Sequence, residues 1–465
     1  MAGSRLSTPR AGGARPLPDL PQRSGRALSR AVFAALTLVS TAARADLDLR
    51  LEAETRAFTA QARGDAALAA GLRLDHGPRP GEALVLEAFA RADAREDARS
   101  RADLREAYYE ARAGALTTRL GARRVYWGLT EARHLVDTLN QSDLGDDLDG
   151  ETKLGQPMLE FVFGGETTAL SLYALPGFRE RRLPGPGGPL VYPFPLALEE
   201  TRVHADAGVL HADYAARASG QFGDLDLALS WFDGIGREPD ILPCLRQGSG
   251  FPGTEDEANC AVLDSVTAAA PSPNLLTPLL QALGLVPSDA EIAAELEQRA
   301  YANLVLVPVY DRERRLGLEA QYIAEALALK FEGLVRETRG ERSYAAVAGF
   351  EYSWSGLFDG AQDLGLIVEA LRDTQAGLLS ARYDHEVFLG GRWSLNDVAN
   401  SQALGGVLID STGAGQTWSL EASRRLDDDW KLGLRLRVFT GGDPNDLANV
   451  EKDADELRLT LERYF

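Results

Sequence analysis

Glu456-Leu457-Arg458-Leu459-Thr460-Leu461-Glu462-Arg463-Tyr464-Phe465 is the stretch whose reading decides the fold. In an extended strand successive side chains point to opposite sides. Leu457, Leu459, Leu461 and Phe465 therefore share one face, and Glu456, Arg458, Thr460 and Glu462 share the other. A period of two means that one face meets apolar surroundings while the other meets water or polar groups. Only Arg463 interrupts the apolar face, close to the strand's end.

The same rhythm runs outward through the chain. Lys431–Val438, Trp418–Ala422, Leu225–Trp231 and Leu47–Ala53 all alternate. The pattern predicts strands at 46–58, 65–76, 81–94, 102–113, 116–127, 156–165, 166–177, 208–220 and 221–233. It continues with 313–324, 325–338, 342–354, 361–374, 384–396, 400–411, 415–426, 429–441 and 455–465. Connections sort by length: 114–115, 356–360, 397–399 and 427–428 are tight, whereas 128–155, 178–207, 234–312 and 442–454 are long. Tight turns on one side and long loops on the other are what a membrane barrel threaded from inside requires. The expected fold is all-β, a transmembrane antiparallel up-and-down β-barrel of about 18 strands in the bacterial outer membrane, formed by residues 46–465 as one domain.

Composition agrees. With 45% hydrophobic and 25% charged residues, the chain has no run of 18 apolar residues, which excludes a bundle of membrane helices. A barrel escapes that test because only alternate residues face lipid. Arg23, Arg26 and Arg30 precede an apolar run from Ala31 to Val39, and Ala43-Arg44-Ala45 offers a small-x-small cleavage site. Residues 1–45 are read as a leader carrying a signal peptide cleaved after Ala45, the alternative being a short buried helix. Its removal leaves 42 basic and 68 acidic side chains, a net of about −26. That charge argues against nucleic acid as a partner. It is compatible with cation-bridged lipopolysaccharide and outer-membrane lipid as surroundings.

An alternating strand that ends on phenylalanine resembles the assembly signal of Gram-negative outer-membrane β-barrels, which implies the outer-membrane assembly machinery as a partner. Arg123-Arg124-Val125-Tyr126-Trp127-Gly128-Leu129-Thr130-Glu131, followed by His134, Asn140, Gln141, Asp143 and Leu144, resembles a Gly-Arg-x-x-x-x-Trp-Gly element of several porin-like families. The match covers about 30 residues, and the glycine is displaced to Gly121-Ala122-Arg123. It implies a porin-like barrel and does not specify a substrate. Trp127 is read as an interface anchor or mouth residue, and the polar run after it as a loop folded on itself.

Faces opposite the leucines carry the charges and are expected to line the lumen, since a midplane arginine facing lipid costs ~2–4 kcal/mol. The pore-lining candidates are Glu110, Arg112, Arg119, Arg123, Glu351, Arg392, Glu421, Arg425, Arg435, Arg437, Arg458 and Glu462, with Glu106, Glu319, Lys330, Glu332, Arg336 and Glu369 on the same faces. Such charges either filter solutes at a constriction or pair across strands and fill a wide barrel. Arg425, Arg435 and Arg437 would make a positive stripe favouring anions. Cys244 and Cys260, 16 positions apart in an exported loop, are read as one disulfide, the alternative being free thiols. No metal-ligand spacing and no cofactor motif is present around them.

Loop 234–312 also contains Leu275, Leu276, Leu279, Leu280 and Leu283 at helical spacing, and Ser288 with Glu291 as a capping box, so two short helices are expected there, as an outer cap or as a plug. No hydrolase or zincin motif occurs, and His211, Asp213 and Ser219 lie on one strand, too extended to work together. The sequence thus reads as a non-enzymatic, porin-like channel for passive or weakly selective passage of small solutes. A specific transporter or exporter of an amphiphile and a structural barrel without a pore are the alternatives. Removing Phe465 is expected to lower the amount of barrel in the outer membrane more than the stability of the refolded protein. Fractionation followed by immunoblotting, against a denaturant titration of the refolded chain, measures both.

Overall fold

Alternation does most of the construction. The structure is a computed structural model that describes residues 45–465 apart from 186, 193, 252, 261–297, 301, 358–359, 376–384, 412–414, 442–449 and 452. The expected leader and both expected loop helices lie outside the described residues. The strands are β1 (Ala45–Phe58), β2 (Arg63–His76), β3 (Glu82–Asp93), β4 (Arg101–Ala113), β5 (Leu116–Arg123), β6 (Gln156–Gly164), β7 (Thr168–Pro176), β8 (Arg202–His204), β9 (Ala212–Phe222) and β10 (Leu225–Ile235). They continue as β11 (Asp240–Leu245), β12 (Leu304–Ala324), β13 (Leu327–Thr338), β14 (Glu341–Leu357), β15 (Gln362–Asp373), β16 (His385–Ser394), β17 (Gln402–Asp410), β18 (Gly415–Arg425), β19 (Trp430–Gly441) and β20 (Glu456–Tyr464).

All but β8 and β11 form a closed antiparallel ring of 18 strands. The ring shuts where β1 pairs with β20, from Arg50 opposite Tyr464 to Phe58 opposite Glu456. Closure matters physically, because an open edge would leave backbone N–H and C=O groups unpaired in hydrocarbon. Burial is inverted relative to a water-soluble domain. Leu68, Leu120, Leu229 and Leu316 are 60–68% exposed, whereas Glu160, Glu319, Glu332 and Glu369 are at most 2% exposed. Leucines outside and carboxylates inside place the ring in a bilayer, and the protein is an outer-membrane β-barrel.

The observed strands follow the expected ones closely, with three departures, the first being that β9 starts at Ala212 and not at 208, because a 3-10 turn occupies Gly208–Leu210. β5 ends at Arg123 instead of continuing to 127, because the chain leaves the wall there and turns inward. β12 begins at Leu304, nine residues before the expected start. Its first part, Leu304 to Tyr310, is wholly buried and projects beyond the ring. There it pairs with β11 on one side and with β8 in parallel on the other. Cys244 and Cys260 are joined in a disulfide in this region. They pack with Ala197, Ala258, Val305, Val307 and Val309 into a small apolar cluster. The described parts of loops 177–211 and 236–303 thus form a small packed structure of their own around the β12 extension.

The disulfide closes a loop that already has its own core. Intact protein is therefore expected to take up no thiol reagent without reductant. The double variant C244S/C260S is expected to keep the heat-modifiable mobility of a folded barrel while its 236–260 segment becomes more sensitive to protease. Labelling stoichiometry and timed proteolysis followed by mass spectrometry provide the readouts.

Candidate functional site

Like charges face each other at several places on the inner wall. Glu319 of β12 stands opposite Glu332 of β13. Arg435 of β19 stands opposite Arg458 of β20, which in turn stands opposite Arg56 of β1. Directly opposed like charges destabilise a sheet unless something else neutralises them. Here the neutralising group is the segment between β5 and β6.

Leaving β5, the chain crosses to the far wall. The Gly128 amide donates to Glu319 Oε1 at 3.0 Å. The amides of Leu129 and Thr130 donate to Glu332 Oε1 at 2.6 and 2.9 Å, joined by the Thr130 hydroxyl at 2.8 Å. The amides of Glu131 and Ala132 donate to Glu369 on β15 at 2.9 and 2.7 Å. Three carboxylates on three strands thus hold consecutive backbone N–H groups, and such charge-assisted bonds contribute about 1.5–3 kcal/mol each. Gly128 has a φ of +110°. A Cβ there would lie 2.8 Å from His134 Nδ1 and 3.1 Å from Glu332, so only glycine fits.

The returning half of the segment carries carboxylates to the arginine wall. Asp147 pairs with Arg435, with Arg437 at 2.9 Å and with Arg458 at 2.9 Å. Asp149 lies 3.2 Å from Arg435. Asp146 pairs with Arg91 and Asp143 with Arg101. Apolar side chains fill the arc behind the segment. Val125, Trp127, Val136 and Leu139 pack on Met158, Tyr173, Leu175, Ala215 and Phe232, and Leu135 packs on Leu334, Ala345, Val347 and Leu371. Asn140 ties the two ends together, accepting from the Val125 amide at 2.9 Å and donating to the Arg123 and Leu154 carbonyls at 2.8 and 2.9 Å.

Trp127 is consequently no interface anchor or mouth residue. It is 6% exposed, edge-on to Tyr173 at 5.8 Å, and holds the base of an inward-folded loop. The loop folds on itself, as expected for its polar run, but it also reaches across the lumen. Its signal in the sequence was the set of opposed like charges on the strands, which becomes visible only once the register is known.

The expected lumen residues divide into groups. Glu110 and Glu160 hold Arg119 at 2.6 and 3.1 Å, and Glu160 also pairs with Arg123. Arg112 donates to Glu110 at 2.7 Å but stands at the strand end, largely exposed. Arg458 is buried and Arg437 partly buried against Asp147, and Arg458 also pairs with Glu456 at 2.6 Å. Glu462 lies 3.7 Å from Arg50. Arg425 does not join Arg435 and Arg437. It donates to the Asp428 carbonyl at 3.1 Å in the turn before β19. The positive stripe read from the sequence is therefore broken at Arg425 and neutralised at Arg435 and Arg437 by loop carboxylates.

A further group runs along the wall from β13 to β19, and in it Arg392 and Glu421 keep the greatest exposure. Arg392 pairs with Glu131 and lies 3.6 Å from Glu351, while its side chain is 43% exposed. Glu351 also accepts from Lys330 at 3.0 Å. Glu421, equally exposed, accepts from Arg435 at 2.8 Å. On the loop, outside the spanning strands, His134 lies 3.4 Å from Glu151. Burial disfavours its charged form, yet Glu151, supported by Glu332 and Asp137, raises its pKa to about 9. The imidazolium form therefore prevails at neutral pH. Among the remaining histidines, His211 contacts Asp213 at 2.9 Å, but Asp213 is also held by Arg237 at 2.8 Å.

No protein-family model and no curated protein matches the sequence. Solved structures do match. OccK3 (OpdO) of Pseudomonas aeruginosa has a TM-score of 0.48 and is 12% identical over 92% of this chain and 97% of that one. OccD3 (OpdP) of the same organism has a TM-score of 0.47 and 10% identity over 91% of this chain and 92% of that one. OmpT, an outer membrane protein of Vibrio cholerae, has a TM-score of 0.39 and 7% identity over 91% of this chain and 100% of that one. The likeness concerns the course of the chain.

The anchor geometry makes Glu332 the residue on which the loop's position depends most. Val136 is 0% exposed, and its amide also donates to Glu332, at 3.3 Å. A V136C variant should be protected from a small thiol reagent. Adding E332A leaves several buried N–H groups without an acceptor, a loss of about 1–3 kcal/mol, and should speed labelling by about tenfold or more.

Proposed function

We propose that the protein is an outer-membrane channel for small solutes whose aperture is set by the segment between β5 and β6. The observation that carries this reading is the attachment of one loop to both walls of the lumen: Gly128 to Ala132 on β12, β13 and β15, and Asp147 with Asp149 on β19 and β20. Such a loop narrows a wide barrel without sealing it. The most exposed charged side chains left beside it, Arg392 and Glu421 on the wall with Glu151 on the loop, supply the polar lining, backed by the more covered Glu351, Arg435, Glu131 and His134.

Both signs of charge meet at this aperture, so the channel is weakly selective. The anion preference expected from Arg425, Arg435 and Arg437 is reduced, since Asp147, Asp149 and Glu421 stand within ion-pairing distance of the last two. The ladder of Glu110, Arg119, Arg123 and Glu160 serves as wall structure in this reading, and Arg112 and Glu462 as rim charges. Within a Debye length of ~10 Å at 0.1 M salt, the charge with most influence on permeation is Arg392, the most exposed arginine of this group.

In a planar bilayer the refolded chain is expected to give small, steady conductance steps. Replacing 129–151 by a short Gly-Ser linker should raise the unit conductance about threefold or more, because the cross-section then approaches that of the bare barrel. R392Q should move the reversal potential in a salt gradient toward cations. If neither the wild type nor the linker variant conducts, the barrel is closed and structural, and the channel reading is wrong.

A further inference from the structure

The outer wall carries a second charged feature, unrelated to the lumen. On β12 the outward face runs through Leu316, Leu318 and Tyr322, all exposed, and toward the outer end the same face continues with Arg314 and Arg312. The neighbouring strands bring matching residues to that level. Asp233 of β10 stands opposite Arg314, Arg314 stands opposite Glu337 of β13, and Glu337 stands opposite Arg342 of β14. Arg372 of β15 is exposed on the same outward face, opposite Ala346.

The height of this row follows from strand geometry. From Arg314 to Tyr322 the chain advances about 26 Å along the strand, which is about 20 Å along the axis of a barrel whose strands tilt by ~40°. The apolar belt of such a barrel is about 25 Å tall. Arg312, Arg314 and Arg342 therefore stand at the upper edge of the belt, level with the headgroups of the outer leaflet. Trp231 and Tyr344, both exposed, lie just below, where interfacial aromatic residues sit.

The carboxylates present do not use up the guanidinium groups. Asp233 takes Arg312 through Nε at 3.0 Å and Nη2 at 2.8 Å, and Arg314 through Nε at 3.3 Å. Glu337 takes Arg342 at 3.2 Å and approaches Arg314 at 3.9 Å. Three arginines share two carboxylates, and each keeps about half its side chain or more in contact with the surroundings. Each guanidinium has five donors in a planar fork that matches a phosphate bidentately. The acidic pair thus holds the arginines in a row without neutralising them. A cationic row on a chain of net charge −20, facing lipid at headgroup height, has one natural counterpart.

We infer that the outward row Arg312, Arg314 and Arg342 is a binding site for the phosphorylated headgroup of an outer-leaflet glycolipid. Asp233 and Glu337 act as positioning residues that fan the guanidinium groups along the membrane surface. Trp231 and Tyr344 take the sugar–acyl boundary below the phosphate. The site is independent of whether the lumen conducts.

The test uses the refolded full-length chain in detergent and reads bound lipid by native mass spectrometry. The probes are diphosphorylated lipid A and the same lipid with its phosphates removed. Wild type is expected to hold the phosphorylated form about tenfold more tightly than the dephosphorylated one. The variant R312Q/R314Q/R342Q should lose that difference, while R463Q, an arginine near the opposite end of the barrel wall, should keep it. R342Q alone, whose side chain is the most exposed of the three, gives a milder variant with about threefold weakening if the triple variant does not reach the heat-modifiable folded form. Excess inorganic phosphate should fail to displace the lipid. Equal retention of the two lipids by wild type, equal binding by wild type and the triple variant, or displacement by phosphate alone would each overturn the inference.

Discussion

The opposition of Glu319 and Glu332 across the β12–β13 ladder is the constraint on which the interior depends. Two buried carboxylates face to face, with Glu369 two strands further on, cannot be desolvated without donors. Arg217 reaches Glu319 at 2.8 Å. The remaining acceptor capacity is met largely by main-chain N–H groups of 128–132. A backbone donor cannot be withdrawn by rotating a side chain, so this attachment fixes where the chain must cross the lumen. The position of the apolar infill follows, because Trp127 and Val136 can reach β6, β7, β9 and β10 only from that crossing point.

The opposite wall solves the converse problem with different chemistry. Arg435, Arg458 and Arg56 stand in one row across three strands, and Asp147 with Glu54 supplies the counter-charge. Side-chain carboxylates on a returning loop are adjustable, whereas main-chain donors on the outgoing half are not. The ionic wall is also extensive. Arg56 reaches Asp65, Asp93 and Glu96 at 2.7, 3.1 and 3.3 Å, and Arg99 reaches Asp93 and Glu54 at 2.6 and 2.9 Å. These pairs are buried, so salt screens them far less than it screens exposed pairs.

The strands were legible because one face of each meets hydrocarbon, which imposes a strict period of two that needs no knowledge of distant partners. What escaped was non-local or two-sided. The start of β12, Leu304-Val305-Leu306-Val307-Pro308-Val309, does not alternate because packing covers both of its faces. The loop's role escaped because its anchors lie some 190 to 240 positions away in sequence, at Glu319, Glu332 and Glu369. Gly128 and Trp127 were visible as unusual residues, but their meaning lies in partners on β12, β13 and β7.

The same reasoning explains why charge on this barrel sorts as it does. An inward charge has to be paired, since the wall behind it is low in dielectric, and nearly every inner arginine described here has a carboxylate within 4 Å. An outward charge at the membrane edge faces headgroups and water and has no such requirement. Arg312, Arg314 and Arg342 can therefore keep free donors where Arg437 and Arg458 cannot. The overall acidity of the chain hides this division. What each face binds is set by the local balance of paired and unpaired charge, and that balance depends on strand register, which a net charge does not record.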